Sequence, residues 1–207
     1  RPRQQEFLER MIRALSKKDN TLGIAPTGAG KTILFSHLLG QLIRDYPEKK
    51  ALIIAHRDEL TEQNYSKFRL INPDIPVSTI NSSTKDWSGR VIFAMVQTLA
   101  RENNLNSLTP VDFIVVDEAH HTPAATYQVI IERARELNPD CKLVGMTATP
   151  MRSDGVGLRN NYSNVADQIF IGELVSSGHL VFPKTFIIDV AQKQLKSLEM
   201  PAGDYDM

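Results

Sequence analysis

Ala25-Pro26-Thr27-Gly28-Ala29-Gly30-Lys31-Thr32 decides how this chain is read. A short apolar run, residues 22–24, precedes it. Helically spaced Ile33, Leu34, Leu38, Leu39, Leu42 and Ile43 follow. Strand, glycine loop and helix form the setting of a phosphate-binding loop. The pattern G-x-x-x-x-G-K-[ST] is met except that Ala25 stands at the first glycine. Gly28 and Gly30 let the backbone turn, so that N–H groups along Thr27, Gly28, Ala29 and Gly30 face inward with the helix N-terminus and cradle phosphate oxygens. Lys31 adds a point charge for the outer phosphates, and Thr32 offers a hydroxyl to Mg²⁺. A glycine turn that only caps a helix would look similar, so a second signal is needed.

That signal is Phe113-Ile114-Val115-Val116, an apolar run rich in β-branched residues, as expected of a buried parallel strand. It delivers Asp117-Glu118-Ala119-His120 at its carboxyl end. Open α/β sheets bind ligands at that end of their strands. One carboxylate there, Asp117, can hold the cation that bridges the phosphates. Its neighbour, Glu118, can orient or deprotonate a water.

Around these motifs the chain alternates. Residues 1–15 place Phe7, Leu8, Met11, Ile12 and Leu15 on one helical face, with Pro2 suited to a helix start. Strands are predicted at 22–25, 51–55, 77–81, 91–94, 113–117 and 142–147. Helices are predicted at 31–44, 58–68, 96–101 and 124–137. The rhythm predicts an α/β fold: a mostly parallel sheet with helices on both faces. Residues 151–164 read as a polar, glycine-containing surface loop, and order resumes at 169–176 and 184–190. Residues 1–189 are expected to form one domain, and 190–207 a polar linker that is cut short.

The 207 residues carry 24 Lys+Arg and 24 Asp+Glu, a net charge of zero. That argues against a tail binding nucleic acid by bulk charge, but a local basic surface remains compatible. The single cysteine, Cys141, cannot form an intrachain disulfide and suits a reducing interior. No apolar run approaches the roughly 20 residues of a membrane span, and no signal-peptide pattern opens the chain. Because the first residue is Arg1 rather than Met, a trimmed N-terminus is expected.

Taken together, the motifs resemble superfamily 2 helicases and translocases with an Asp-Glu-x-His (DEAH-type) box. The resemblance runs from Arg1 to about Pro183 and is to their N-terminal RecA-like ATP-binding domain, a P-loop NTPase fold, in the style of bacterial or phage DNA repair and restriction-type helicases. It implies that Arg1-Pro2-Arg3-Gln4-Gln5 is the adenine-reading segment. Gln4 would pair with adenine's donor and acceptor edges, Arg1 would lie nearby, and Arg3 stands where the family often has an aromatic. It implies that His56 and Arg57, after the strand at 51–55, and Gln97 and Thr98, within Val96-Gln97-Thr98-Leu99, touch the nucleic-acid backbone. It implies that His120, with Thr147 and Thr149 of Thr147-Ala148-Thr149-Pro150, couples the ATP site to the nucleic-acid site. ATP and Mg²⁺ are the implied ligands: Lys31, Asp117 and Glu118 are the catalytic set, and Thr32 and Asp117 hold the metal. The implied partners are nucleic acid, DNA favoured over RNA, and a second RecA-like domain of the same parent chain that supplies arginines. No membrane is implied, and a cytoplasmic or nucleoid-associated location is expected. Without that second domain, weak nucleotide binding, very slow hydrolysis and no unwinding are expected.

His120 and His121 invite a transition-metal site, but His37, His56 and His179 have no ligand spacing with them and only one cysteine is present. Trp87 and Tyr162 read as partly buried loop aromatics rather than base-stacking platforms. Two other functions fit the same motifs: a double-strand translocase that does not separate strands, and a binding module switched by nucleotide.

Overall fold

The computed structural model describes residues 2–150 and 158–181. Arg1, the expected order at 184–190 and the expected boundary at 189–190 lie outside the described residues. In chain order the elements are α1 (Pro2–Leu15), β1 (Asn20–Ile24), α2 (Lys31–Asp45), β2 (Ala51–Ala55), α3 (Asp58–Ile71), β3 (Val77–Ile80) and β4 (Val91–Met95). There follow α4 (Val96–Leu99), α5 (Glu102–Asn106), β5 (Phe113–Asp117), α6 (Ala125–Leu137), β6 (Lys142–Thr147), β7 (Val165–Gln168) and α7 (Ile171–Ser176).

The seven strands form one sheet in the order β3-β4-β2-β5-β6-β1-β7, and every pair of neighbours is parallel. β2 and β5 lie inside the sheet and are buried along their whole length. Their unbroken apolar runs follow from being covered on both faces.

Side chains alternate across the strands, and the core divides accordingly. Ile53, Val115 and Val144 are register partners across β2, β5 and β6 and point to the face covered by α1, α2 and α3. Leu52, Ile54, Ile114, Val116 and Leu143 point to the face covered by α6. α1 buries Phe7, Met11 and Leu15, spaced four residues apart, against the first face. Each such side chain contributes about 1.5–3 kcal/mol by leaving water.

Of the expected surface loop, residues 151–157 lie outside the described residues and Leu158–Asn160 is a helical turn; just after it β7, in residues assigned to no element from the sequence, is an edge strand beside β1. Tyr162 is a core residue, 4% exposed, and its hydroxyl shares a 2.9 Å hydrogen bond with that of Thr122. A Cβ on Gly145 would lie 2.4 Å from the Tyr162 ring, so the ring fits only over a glycine. α5, built from Glu-Asn-Asn-Leu-Asn, was not anticipated. Cys141 is buried, which pushes its thiol up to about 12.

Candidate functional site

Parallel strands deliver their carboxyl ends to one edge, and the order β4-β2-β5-β6-β1 fixes which motifs meet there. β1, β6 and β5 are adjacent. They carry the glycine loop, Thr147 and Asp117 respectively. β2 and β4 lie beyond β5 and carry His56-Arg57 and Gln97-Thr98.

The loop has the backbone its glycines permit. Gly28 and Gly30 have φ of 86° and 84°, in the left-handed region. Ala25, at the position usually written as glycine, is fully buried, and its N–H donates to the Thr147 carbonyl at 2.9 Å. Thr27 and Gly28 are exposed and Ala29 is buried. α2 starts at Lys31, so its unpaired N–H groups open on the loop. The Gln4 side-chain amide donates to the Ala29 carbonyl at 2.9 Å, which brings the start of α1 against the loop. A largely apolar cavity of about 360 Å³ adjoins this contact, lined by Pro2, Gln4, Ala29, Ile169, Leu174 and His179 among others. Arg1 lies outside the described residues.

Arg3, next to Gln4, is a clamp. It bonds both carboxylate oxygens of Asp167, reaches the Gln168 carbonyl at 2.8 Å, and pairs with Glu173 at 2.8 Å. Burial of Asp167 opposes its charge, but the Arg3 bonds prevail and hold its carboxyl below the usual range. Arg3 thus joins α1 to β7 and to α7, and α1 and α7 both line the cavity. Asp167 and Glu173 were not singled out in the sequence, since pairs this far apart leave no local signal.

The acidic box is closely interlinked. Lys31 Nζ lies 3.4 Å from Glu118 Oε1. Glu118 Oε2 lies 3.5 Å from His120 Nδ1, which is also 3.2 Å from Thr147 Oγ1. The Thr147 hydroxyl donates to the Thr149 carbonyl at 2.9 Å and accepts the Thr149 N–H at 3.1 Å. With its only proton so used, Thr147 Oγ1 is left to accept, which matches the tautomer of His120 that carries its proton on Nδ1. Glu118 has φ 54°, ψ 58°, the only positive φ outside glycine among the described residues. Such a backbone costs on the order of 1–3 kcal/mol and concentrates at functional positions.

Asp117 is 5% exposed, and burial raises its pKa even though the Asn64 bond opposes this. The Asn64 side-chain N–H donates to Asp117 Oδ2 at 2.8 Å, and the Asn64 oxygen accepts the Thr32 hydroxyl at 3.2 Å. Asn64 was not anticipated. Its signal was an amide on the buried face of α3, between Thr61 and Phe68.

The other half of the edge differs from expectation. Arg57 and Gln97 are exposed, as contact with a polyanion requires. Thr98 is not: it is 1% exposed, and its hydroxyl is buried with no partner among the described residues. α4 turns that side chain inward, so the expected phosphate contact is not presented. His56 also turns inward. Its ring centroid lies 4.5 Å from that of His121, itself 4.1 Å from His120. Burial and the Arg57 charge lower the pKa of His56. Sequence spacing had separated His56 from the box histidines. The fold brings them together, yet no group of three or more His, Cys, Asp or Glu able to hold a metal occurs among the described residues. Asp58 and Glu59 occupy the first turn of α3, so attraction for a phosphate there rests on Arg57.

Residues 1–152 match the family model described as "Type III restriction enzyme, res subunit". The Saccharomyces cerevisiae protein named "Putative ATP-dependent helicase IRC3" is 28% identical over 215 residues, 99% of this chain and 31% of that protein. The "ATP-dependent RNA helicase DHX58" of Mus musculus is 24% identical over 229 residues, 100% of this chain and 32% of that protein. The chain therefore spans about a third of these relatives. A nuclease-deletion mutant of the Type ISP restriction-modification enzyme LlaGI, solved with a DNA substrate mimic, superposes with TM-score 0.67 at 17% identity, over 86% of this chain and 20% of that one. The chain belongs to the "Type III restriction enzyme, res subunit" family and is a RecA-like ATP-binding motor domain of the superfamily 2 type.

Proposed function

We propose that this domain hydrolyses ATP to drive its parent protein along nucleic acid, with DNA favoured over RNA. The observation that carries the reading is the adjacency of β1, β6 and β5, which brings Lys31, Thr147, Asp117 and Glu118 to one edge already linked to one another. Adenine occupies the cavity beside Gln4, and the phosphates lie along Thr27, Gly28, Ala29 and Gly30. Lys31 leaves Glu118 for the outer phosphate oxygens, and Glu118 is then free to orient and deprotonate the attacking water.

Magnesium fits the donor set. Thr32 and Asp117 are both oriented by Asn64, and this hard cation takes only one or two protein oxygens beside phosphate and water. When bound, it would neutralise charge on the phosphates. His120, Thr147 and Thr149 couple the two halves of the edge through the His120–His121–His56 ring contacts, while Arg57 and Gln97 hold the track. A second RecA-like domain of the parent closes on ATP from the other side. We place the parent in the cytoplasm or on the nucleoid. Among the described residues, no helix is long and apolar enough to cross a membrane.

The test is the ATPase rate of the intact protein with and without single-stranded DNA, duplex DNA and RNA. Stimulation by DNA is expected. Stimulation by RNA alone would reverse the choice of track, and none by any polymer would leave a nucleotide-switched module. The family's restriction-enzyme description favours a second reading, a translocase that moves on duplex DNA without separating it. Duplex-stimulated ATPase without strand displacement would select it.

A further inference from the structure

Asn64 has no place in any motif, yet it touches both proposed metal ligands. It lies on the buried face of α3 and is 1% exposed. Its oxygen accepts the Thr32 hydroxyl at 3.2 Å, and its nitrogen donates to Asp117 Oδ2 at 2.8 Å. These partners come from different elements, the start of α2 and the end of β5.

We propose that Asn64 is a positioning residue that presents Thr32 and Asp117 to the magnesium of the nucleotide; the inference rests on the ATP-hydrolysing reading above. A threonine hydroxyl has one proton and two lone pairs. With the proton committed to Asn64, both lone pairs are free for a cation. Asp117 is fixed at both ends, Oδ2 by Asn64 and Oδ1 by the Glu118 N–H at 3.0 Å. Each oxygen keeps a further lone pair. Only a side-chain amide offers a donor and an acceptor side by side. Leucine offers neither, and aspartate would set a second carboxylate against Asp117. In so buried a place these bonds are strong and their geometry is set before the ligand arrives. Partners that orient metal ligands in this way typically govern metal affinity by 10–100-fold.

A purely structural role, tying α2 and α3 to β5, would change stability and leave magnesium dependence alone. The intact protein is therefore titrated with a fluorescent ATP analogue, first in EDTA and then across magnesium concentrations, as wild type, Asn64→Ala and Asn64→Leu. Leucine fills the same space if alanine weakens folding. In EDTA, affinities within about twofold of each other are expected, because both variants leave Lys31 and the backbone donors of the loop in place. The magnesium concentration that half-maximally tightens binding is expected to rise roughly 10–100-fold in both variants. An unchanged magnesium midpoint in either folded variant overturns the role of Asn64 and leaves the ATP-hydrolysing reading intact. A wild type whose nucleotide affinity ignores magnesium overturns that reading, and the role of Asn64 with it.

Discussion

The two halves of the sheet's carboxyl edge are built differently. Where β1, β6 and β5 end, Lys31, Thr32, Asn64, Asp117, Glu118, His120 and Thr147 form a continuous set of bonds and ion pairs. Where β2 and β4 end, polar groups either face solvent, as Arg57 and Gln97 do, or are buried without a hydrogen-bond partner among the described residues, as are His56 Nδ1, Asp58 Oδ1 and Thr98 Oγ1. A buried polar atom without a partner costs about 1–3 kcal/mol. The first half is thus organised ahead of its ligand, while the second has bonding capacity still to be satisfied. This is what a motor needs if ATP is bound at a stable site and the track is gripped and released.

Removing the contact between Thr147 and His120 tests the link between the halves. Thr147→Val keeps the shape but strands His120 Nδ1 and the Thr149 N–H. Nucleic-acid-stimulated turnover is expected to fall roughly 10-fold or more while ATP affinity holds, the kinetic equivalent of 1–3 kcal/mol. Equal loss with and without polymer would show that Thr147 serves only the ATP site.

Arg57→Ala addresses the track half alone. Track affinity should weaken, and the slope of log K against log salt should fall by about 1. An unchanged slope would remove Arg57 from the interface.

Asp117→Asn addresses the cost of the ordered half. Burial raises the pKa of Asp117, so its charged form is disfavoured in the fold. The amide removes that penalty, and the melting temperature is expected to rise at neutral pH while turnover is lost. A lower melting temperature would mean that the carboxylate's bonds outweigh its burial.

The smallest effect concerns His56, whose pKa is lowered in the fold. Its neutral form contributes stability that is present above the unfolded value near 6.5 and lost as pH falls through the lower folded value. His56→Phe should flatten the acid side of the stability curve in thermal melts, and an unchanged curve would assign that slope to other groups.

The same contrast between local and distant determinants governs what could be read from sequence. β2, β5 and β6 are predicted with their observed bounds, because short apolar runs between turn residues carry their own signal. The glycine loop and Asp117-Glu118 were legible for the same reason: each is a contiguous motif. β7 was not, because Val-Ala-Asp-Gln has no distinctive period. Backbone pairing with β1 and bonds from Arg3 and Arg10 hold it, and the side-chain contacts span more than 150 residues. Tyr162 was misplaced because its pocket exists only over Gly145. Thr98 and His56 were assigned outward from their motifs, but the turn of α4 and the neighbouring histidines point them inward.

The most direct measurement separates ATP binding from turnover in Glu118→Gln of the intact protein. Glutamine keeps the size, loses the base and releases Lys31 from its 3.4 Å ion pair. ATP affinity should be equal to or tighter than that of the wild type, with turnover at least about 100-fold lower at saturating ATP and polymer. Wild-type turnover in that variant would contradict the assignment of Glu118 as the group that activates water.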